Sequence, residues 1–590
     1  MRSPAPRGGS RGAPRVLALS RGRVRVVAAG WLVCLVALFA RVAYLQTAAS
    51  GPLRELALRQ QVGAVEVRGS RGRIYDRSGG ELATNVVRDS VYAVPRAIQD
   101  PQAFARTVAP VLRLPRREVL ERVRRGGYFV WLARQVPPEV ASRLRALGLD
   151  GQLGLEPEPQ RTYPARGLAA HVLGFAGVDS QGLAGVELQY DALLRSRPGR
   201  VLRVRDALGR EILEGRQVLV QPQDGADLVL TLDRVVQHVA ERELDRTVAE
   251  YRAAAGAVVV MDVHTGELLA LASAPRYDPN RYADFPEEAW RNRAVAEAYE
   301  PGSTLKLAVL AAALEAGVVS PTSHFTCPGS LRVPGGHTIR EAHGQAHGVV
   351  SLADIVRLSC NVGAAQVGAR LGAQFLHRAL ERFGFGRPTG VDLPGESPGI
   401  LRPLSAWSGT DPYVVAIGQG VAATPLQVAR FVAAIANGGR LVRPHVAAAV
   451  REPQGQLRRL VDPTPAPRVL PREVAASLLA MMERTVTDGT GTAAAVEGYR
   501  VAGKTGTAQK PSPSGGYEAG RYVASFVGVV PADRPRVVVL VVVDEPRGAY
   551  YGGVVAAPAF ARIAAQTLWA LGIPPSGSGG GRPGSRVEGD

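Results

Sequence analysis

Ser303 and Lys306, within YEPGSTLK (299–306), have the types and spacing of a nucleophile and its base. The chain carries 71 basic side chains, yet lysine occurs only at Lys306, Lys504 and Lys510. Arginine, with a pKa above about 12, stays protonated, whereas burial and neighbouring charge can lower an ammonium group until it accepts a proton. Lysine at 306 in an arginine-rich chain therefore points to base chemistry, with the hydroxyl of Ser303 as its target. S-x-x-K is a short pattern, and an arginine bias of composition would also make lysine scarce, so the pair needs a structural context.

The flanking sequence supplies one. GSTLKLAVLAAALEAG (302–317) is almost uniformly apolar, opened by Pro-Gly and closed by Gly, which predicts a buried helix. Ser303 and Lys306 then share a face of its first turn, where the helix N-terminus favours an alkoxide and opposes a charged lysine. Two further constellations follow: Ser359-Cys360-Asn361 closes SLADIVRLSCN, and Lys504-Thr505-Gly506-Thr507 lies in VAGKTGTAQ, a short β-type run ending before PSPSGG.

In order these are S-x-x-K, S-x-N and K-T-G, which resembles the signature set of the penicillin-recognising acyl transferases. From Val26 to about Leu571 the chain resembles a class B penicillin-binding protein, a monofunctional peptidoglycan D,D-transpeptidase. The likeness rests on RGRIYDRSGGELA (71–83), Arg161 with Tyr163 and Pro164, GLAGVE (182–187), FGFGRPTGVDLPGES (383–397), IGQGVAATPLQ (417–427), YYGGVVAAPAF and the three motifs. EPGST, VDLPGES and IGQG are more similar to the division and sporulation branch than to the elongation branch. Gln181 stands where the family usually has Glu, Leu305 where Phe is usual, and Cys360 at the variable centre of S-x-N.

The resemblance implies a glycan substrate, lipid-linked or polymeric, bearing stem peptides that end in D-Ala-D-Ala. Ser303 would attack the penultimate carbonyl, Lys306 would take its proton, Ser359 would relay protons to the leaving amine, and Asn361 would hold the peptide amide. Lys504, with Thr505, Gly506 and Thr507, would bind the terminal carboxylate, and backbone N–H groups of Ser303 and Thr507 would form the oxyanion hole. It implies no metal or organic cofactor, covalent inhibition by β-lactams, and a SEDS-type membrane glycan polymerase and other division proteins as partners.

The elements that must position these residues form an α+β chain of several domains. Residues 1–25 hold seven arginines and no acid, and 26–45 form an apolar stretch interrupted only by Arg41, which predicts a transmembrane signal anchor. The positive-inside bias keeps the tail cytoplasmic and exports the rest. Residues 46–225, arginine-rich and without a long periodic element, read as an extended pedestal or dimerisation-type domain. Residues 226–572 read as the penicillin-binding domain, and 573–590 as a low-complexity tail. LVLTLD (228–233) predicts a strand leading into a helix, 256–263 with 267–273 predicts a hairpin, and 522–530 with 536–544 a second hairpin before a helix at 557–571. Strands at both ends of one domain predict an antiparallel sheet closed by its termini, with a helical region between.

Gly498 to Thr505 also satisfies the P-loop pattern, with VVVDE (541–545) as a Walker B strand, but a P-loop must open into a helix, which the Gly- and Pro-rich residues after Thr505 disfavour. A third reading is a non-catalytic β-lactam sensor or division scaffold; intact Ser303, Lys306 and Asn361 argue against a purely structural role, though scaffolding can coexist with catalysis. His337, His343 and His347, in a Gly-rich loop without accompanying Cys or paired carboxylates, read as solvated or locally bonded rather than as metal ligands. Cys327 and Cys360 lack metal-site spacing, and their pairing is left open by the sequence; Cys34 lies in the span. Glu300 reads as stabilising the start of the helix, and Arg71, Arg73, Asp76 and Arg77 as internal ion pairs at a domain junction. The net charge of +19 does not point to nucleic acid, because the arginine bias and the basic tail account for it.

Overall fold

The apolar N-terminal stretch is a single helix, α1 (Arg21–Gln46), of 26 residues. Its segment Gly22–Gln46 has a mean hydropathy of 2.3 and exposed side chains throughout. At about 1.5 Å rise per residue it exceeds the roughly 30 Å hydrocarbon core of a bilayer. The structure, a computed structural model, describes residues 21–51, 62–67, 69–205, 211–461, 466–512 and 515–576. The first twenty residues of the basic tail and residues 577–590 of the C-terminal tail lie outside the described residues. One compact unit takes in α1 and an antiparallel three-stranded sheet of Val62–Val67, Gly199–Arg205 and Glu211–Val220.

The second unit holds everything from Arg68 to Pro198 and from Pro222 onward. Its first part corrects the expectation of no long periodic element. Glu81–Ala93 is a 13-residue strand paired on its two sides with Val130–Val136 and Leu153–Thr162, and Pro101–Leu112 is a 12-residue helix. The strand escapes a period-two reading because register shifts interrupt its pairing and its middle, at Val86 and Val87, is exposed on consecutive residues. Phe104, Val108, Val119, Leu132 and Leu144 form a separate small core there. The ion-pair reading is met at Arg71: Glu187 is fully buried and takes Arg71 Nε and Arg161 Nε at 2.6 Å each, and Arg71 also reaches Asp191 at 2.7 Å. Despite burial, which pushes it up, Arg161 and Arg71 hold the Glu187 carboxyl below its usual range. Asp76 instead caps its own turn through the N–H groups of Ser78 and Gly80. Ile74–Tyr75 runs parallel to Asp227–Leu230, so one sheet crosses residue 225.

The sheet that carries the motifs consists of β1 (Ala255–Asp262), β2 (Leu268–Ala274), β3 (Ala502–Pro511), β4 (Tyr517–Val530) and β5 (Val537–Asp544). Its order is β2-β1-β5-β4-β3 with every neighbour antiparallel, so both expected hairpins form and the two ends of the domain meet where β1 pairs β5. The helices around it are α2 (Arg234–Glu250), α3 (Lys306–Glu315), α4 (Leu352–Arg357), α5 (Asn361–Leu371), α6 (Pro425–Ala436) and α7 (Ala557–Ala570). On β5, Val539 and Val541 pack with α2 and α7, whereas Val538 and Leu540 join the larger core with α3 and α6. Burial on both faces is why RVVVLVVVD is a continuous apolar run rather than an alternating one. β3 is the edge strand of this sheet.

Candidate active site

Ser303 sits in a short 3₁₀ turn, Gly302–Thr304, immediately before α3. The turn is pressed against β3, which requires glycines. Gly302 has φ +55°, and a Cβ on it would lie 2.8 Å from Thr507 O; a Cβ on Gly506 would meet Ser525 Oγ at 2.3 Å and Pro301 O at 3.1 Å. The nucleophile turn and the K-T-G strand therefore approach more closely than any side chain would allow. Ser303 is half-buried, and its hydroxyl has no hydrogen bond among the described residues.

Lys306 starts the buried helix and is itself fully buried. Its Nζ donates to Ser359 O, to Asn361 Oδ1 at 2.7 Å and to Ser359 Oγ at 3.4 Å. Burial pulls this ammonium down to about 8, against the attraction of Glu341 and Cys360. Ser359 and Asn361 reach it from the junction of α4 and α5, where Ser359 takes φ +61°, a left-handed conformation that a non-glycine residue holds only when its surroundings enforce it. Lys504 is also fully buried and donates to Ser359 Oγ at 2.8 Å and to Thr505 O at 3.1 Å. Its pKa lies well below the usual lysine range, through burial first and the neighbouring Lys306 second. One hydroxyl, that of Ser359, thus lies between two ammonium groups of lowered pKa, Lys306 and Lys504. Along β3, Thr505 Oγ1 pairs with Thr490 Oγ1 at 2.8 Å and Thr507 Oγ1 accepts from Gly552 N at 3.1 Å. Hydrogen bonds thus gather Lys306, Ser359, Asn361 and Lys504 into one cluster, and the turn carrying Ser303 packs on β3 at Gly506 and Thr507, next to Thr505.

β3 runs on as a strand to Pro511 with no helix after Lys504. The P-loop reading therefore fails, because phosphate binding needs that helix N-terminus.

Several residues escaped the sequence reading. Glu341 accepts from Asn361 N at 3.0 Å and Val362 N at 2.7 Å, and so holds the S-x-N turn from behind. Tyr522 stacks on Tyr550 at 4.2 Å between ring centroids, and Tyr550 lies 4.4 Å from Tyr551, walling the region next to Gly552. The run YYGGVV was the signal for Tyr550 and Tyr551; Tyr522 opens the strand run YVASFVGVV, and Glu341 had no signal beyond its place in GGHTIREAHG. Glu300 stabilises the helix start by accepting from Gly420 N at 2.8 Å, across to the IGQG loop, rather than by capping. His337 is exposed, His347 stands 3.8 Å from Glu341, and the side chain of His343 lies outside what is described. Gln181 Oε1 is buried without a partner among the described residues.

A serine in a tight turn, a buried lysine of lowered pKa and an edge strand beside them are the parts that serine acyl transfer needs. The sequence profile described as the penicillin binding protein transpeptidase domain matches residues 256–565, and that of the penicillin-binding protein dimerisation domain matches 66–230. The chain belongs to the penicillin-binding protein transpeptidase family. It is 37% identical to stage V sporulation protein D of Bacillus subtilis over 91% of this chain and 83% of that one. It is 35% identical to the peptidoglycan D,D-transpeptidase FtsI of Escherichia coli K12, over 92% and 91% of the two chains. Among solved structures it is similar to a peptidoglycan synthetase of Bifidobacterium adolescentis, with TM-score 0.69, 28% identity and coverage of 88% and 98%. It is also similar to penicillin binding protein 3 of Mycobacterium tuberculosis complexed with ampicillin, with TM-score 0.68, 29% identity and the same coverage.

Proposed function

We propose that the chain cross-links peptidoglycan stem peptides through an acyl-enzyme on Ser303, in septal or spore cell-wall synthesis. The observation that carries this reading is Ser359 Oγ held 2.8 Å from Lys504 Nζ and 3.4 Å from Lys306 Nζ, beside the turn that presents Ser303. Neutral Lys306 takes the Ser303 proton as Oγ attacks the penultimate D-Ala carbonyl. Backbone N–H groups of Ser303 and Thr507 receive the developing oxyanion, worth roughly 3 kcal/mol per donor. The tetrahedral intermediate breaks its C–N bond, Ser359 passes a proton to the departing D-Ala amine, and an ester remains on Ser303. An amine of a second stem then attacks that ester, the new amide forms, and Ser303 recovers its proton. Asn361 orients the peptide amide, and Lys504, Thr505 and Thr507 receive the terminal carboxylate, with Gly506 keeping the strand close. β-Lactams would acylate the same serine.

Residues 46–225 then serve as the pedestal and 226–572 as the transpeptidase domain. α1 anchors the chain with its arginine-rich tail in the cytoplasm and the catalytic domain outside, where a SEDS-type polymerase and other division proteins would meet it. The experiment is intact-mass analysis after incubation with benzylpenicillin, followed by peptide mapping. One adduct on the EPGSTLK peptide, absent in Ser303→Ala, is expected; an adduct elsewhere, or none on folded protein, overturns the assignment.

A further inference from the structure

Cys327 and Cys360 are both fully buried and both aim their sulfur atoms at one carboxylate oxygen. Glu341 Oε1 receives Cys360 Sγ at 3.1 Å and Cys327 Sγ at 3.3 Å, together with Val362 N at 2.7 Å. The two sulfurs and a carboxylate oxygen all lie within 4.8 Å of one another. Glu341 is the same residue that holds the backbone of the Ser359–Asn361 turn through Asn361 N. The sequence offered no metal-site spacing for these cysteines, and the neighbouring histidines lacked accompanying thiols. Folding supplies both: Cys327 ends one short strand, Glu341 follows another, Cys360 caps α5, and His347 stands with Nε2 3.8 Å from Glu341 Oε2.

We propose that Cys327, Glu341 and Cys360 form a binding site for a thiophilic divalent cation of the zinc class, a clamp on the back of the turn that carries Ser359 and Asn361. With metal–sulfur bonds of about 2.3 Å and metal–oxygen bonds of about 2.1 Å, a tetrahedral ion sets sulfur to oxygen at about 3.6 Å and sulfur to sulfur at about 3.8 Å. The observed sulfur–oxygen distances of 3.1 and 3.3 Å need only a few tenths of an ångström of opening. His347, more exposed than Glu341, is a further donor that can turn toward the ion from the solvent side. The alternative is a Cys327–Cys360 disulfide. That bond would consume both thiol protons and leave Glu341 Oε1 facing two sulfurs with nothing to donate, a cost for a buried carboxylate. A cation replaces the same two protons and leaves a positive centre against the oxygen. Uptake of one ion converts two thiols to thiolates and releases two protons, with no change of oxidation state.

The test uses the full chain, purified in detergent and fully reduced, titrated with Co(II) as the probe and then with Zn(II). One equivalent of cobalt should bind with a thiolate-to-cobalt charge-transfer band and tetrahedral d–d absorption, two protons should be released per ion in unbuffered solution, and Zn(II) should bleach the spectrum. Cys327→Ser and Cys360→Ser should each lose the band, and Cys34→Ser should keep it. Thermal melting identifies any variant that fails to fold, and the wild-type spectrum is decisive without the variants. Reduced wild-type protein with no thiolate–cobalt band overturns the proposal, as does a band that survives Cys360→Ser. A mapped Cys327–Cys360 disulfide whose reduction restores no cobalt binding overturns it equally.

Discussion

Replacing Lys306 by arginine separates a charge from a base. At pH 7 a lysine with its ordinary pKa of 10.5 is neutral in roughly 1 molecule in 3,000, whereas at about 8 roughly a tenth of the molecules carry the free amine. Burial of Lys306 thus enlarges the population of competent base about 300-fold, before any effect of positioning. Guanidinium forfeits all of this, since it stays charged at every accessible pH. Loss of general-base catalysis predicts an acylation rate lower by about 10²-fold to 10⁴-fold, or roughly 2.7 to 5.4 kcal/mol in the barrier. The larger head group must also fit where Lys306 Nζ now meets Ser359 and Asn361, so overpacking of about 1–3 kcal/mol is expected as a lowered Tm. The assay is the second-order rate of acylation by a fluorescent penicillin, normalised to folded protein. Lys510→Arg is the control: Lys510 pairs with Asp544 at 3.0 Å and Glu545 at 2.7 Å, contacts that arginine can keep, so its rate should stay near wild type. A folded Lys306→Arg enzyme within about tenfold of wild type, well short of the general-base loss, would refute the role given to Lys306.

The wild-type acylation rate should climb with pH and level off above about 8, because neutral Lys306 is the active form, and Glu341→Gln should move that inflection to lower pH by removing a charge that favours the ammonium; a flat profile from pH 6 to 9 or an upward move counts against it. Gly506→Ala places a Cβ 2.3 Å from Ser525 Oγ and 3.1 Å from Pro301 O, so it should cost about 1–3 kcal/mol in stability and slow acylation of the folded fraction, both read on one sample by melting and fluorescent penicillin. Glu187→Gln leaves Arg161 buried without its counter-charge and Arg71 with Asp191 alone, and should cost about 3–5 kcal/mol, yet the folded fraction should acylate at the wild-type rate, since the network includes none of the motif residues. In right-side-out protoplasts, protease should reach residues beyond 46 and spare the first 23; the reverse pattern rejects export.

What the sequence by itself determined was whatever is written in neighbouring residues. The apolar run of α1, the Gly closing of α3, the two hairpins and the three motifs are local patterns, and the elements they predict form; the exception is Ser303, expected with Lys306 in the first helical turn but held in a 3₁₀ turn before α3, where the chain is pressed against β3. The strand Glu81–Ala93 was not legible, because its burial follows from partners at 130–136 and 153–162 rather than from its own alternation. The site divides in the same way. Its residue types could be named from spacing, but only the tertiary structure brought Lys504 to Ser359 across 145 residues, and the depressed lysines are consequences of burial that no spacing encodes. Glu341 shows the limit most clearly. In sequence it is one acid in a histidine-bearing loop; in the fold it lies between two thiols, two backbone N–H groups and Lys306, because a carboxylate's role is set by what surrounds it in space.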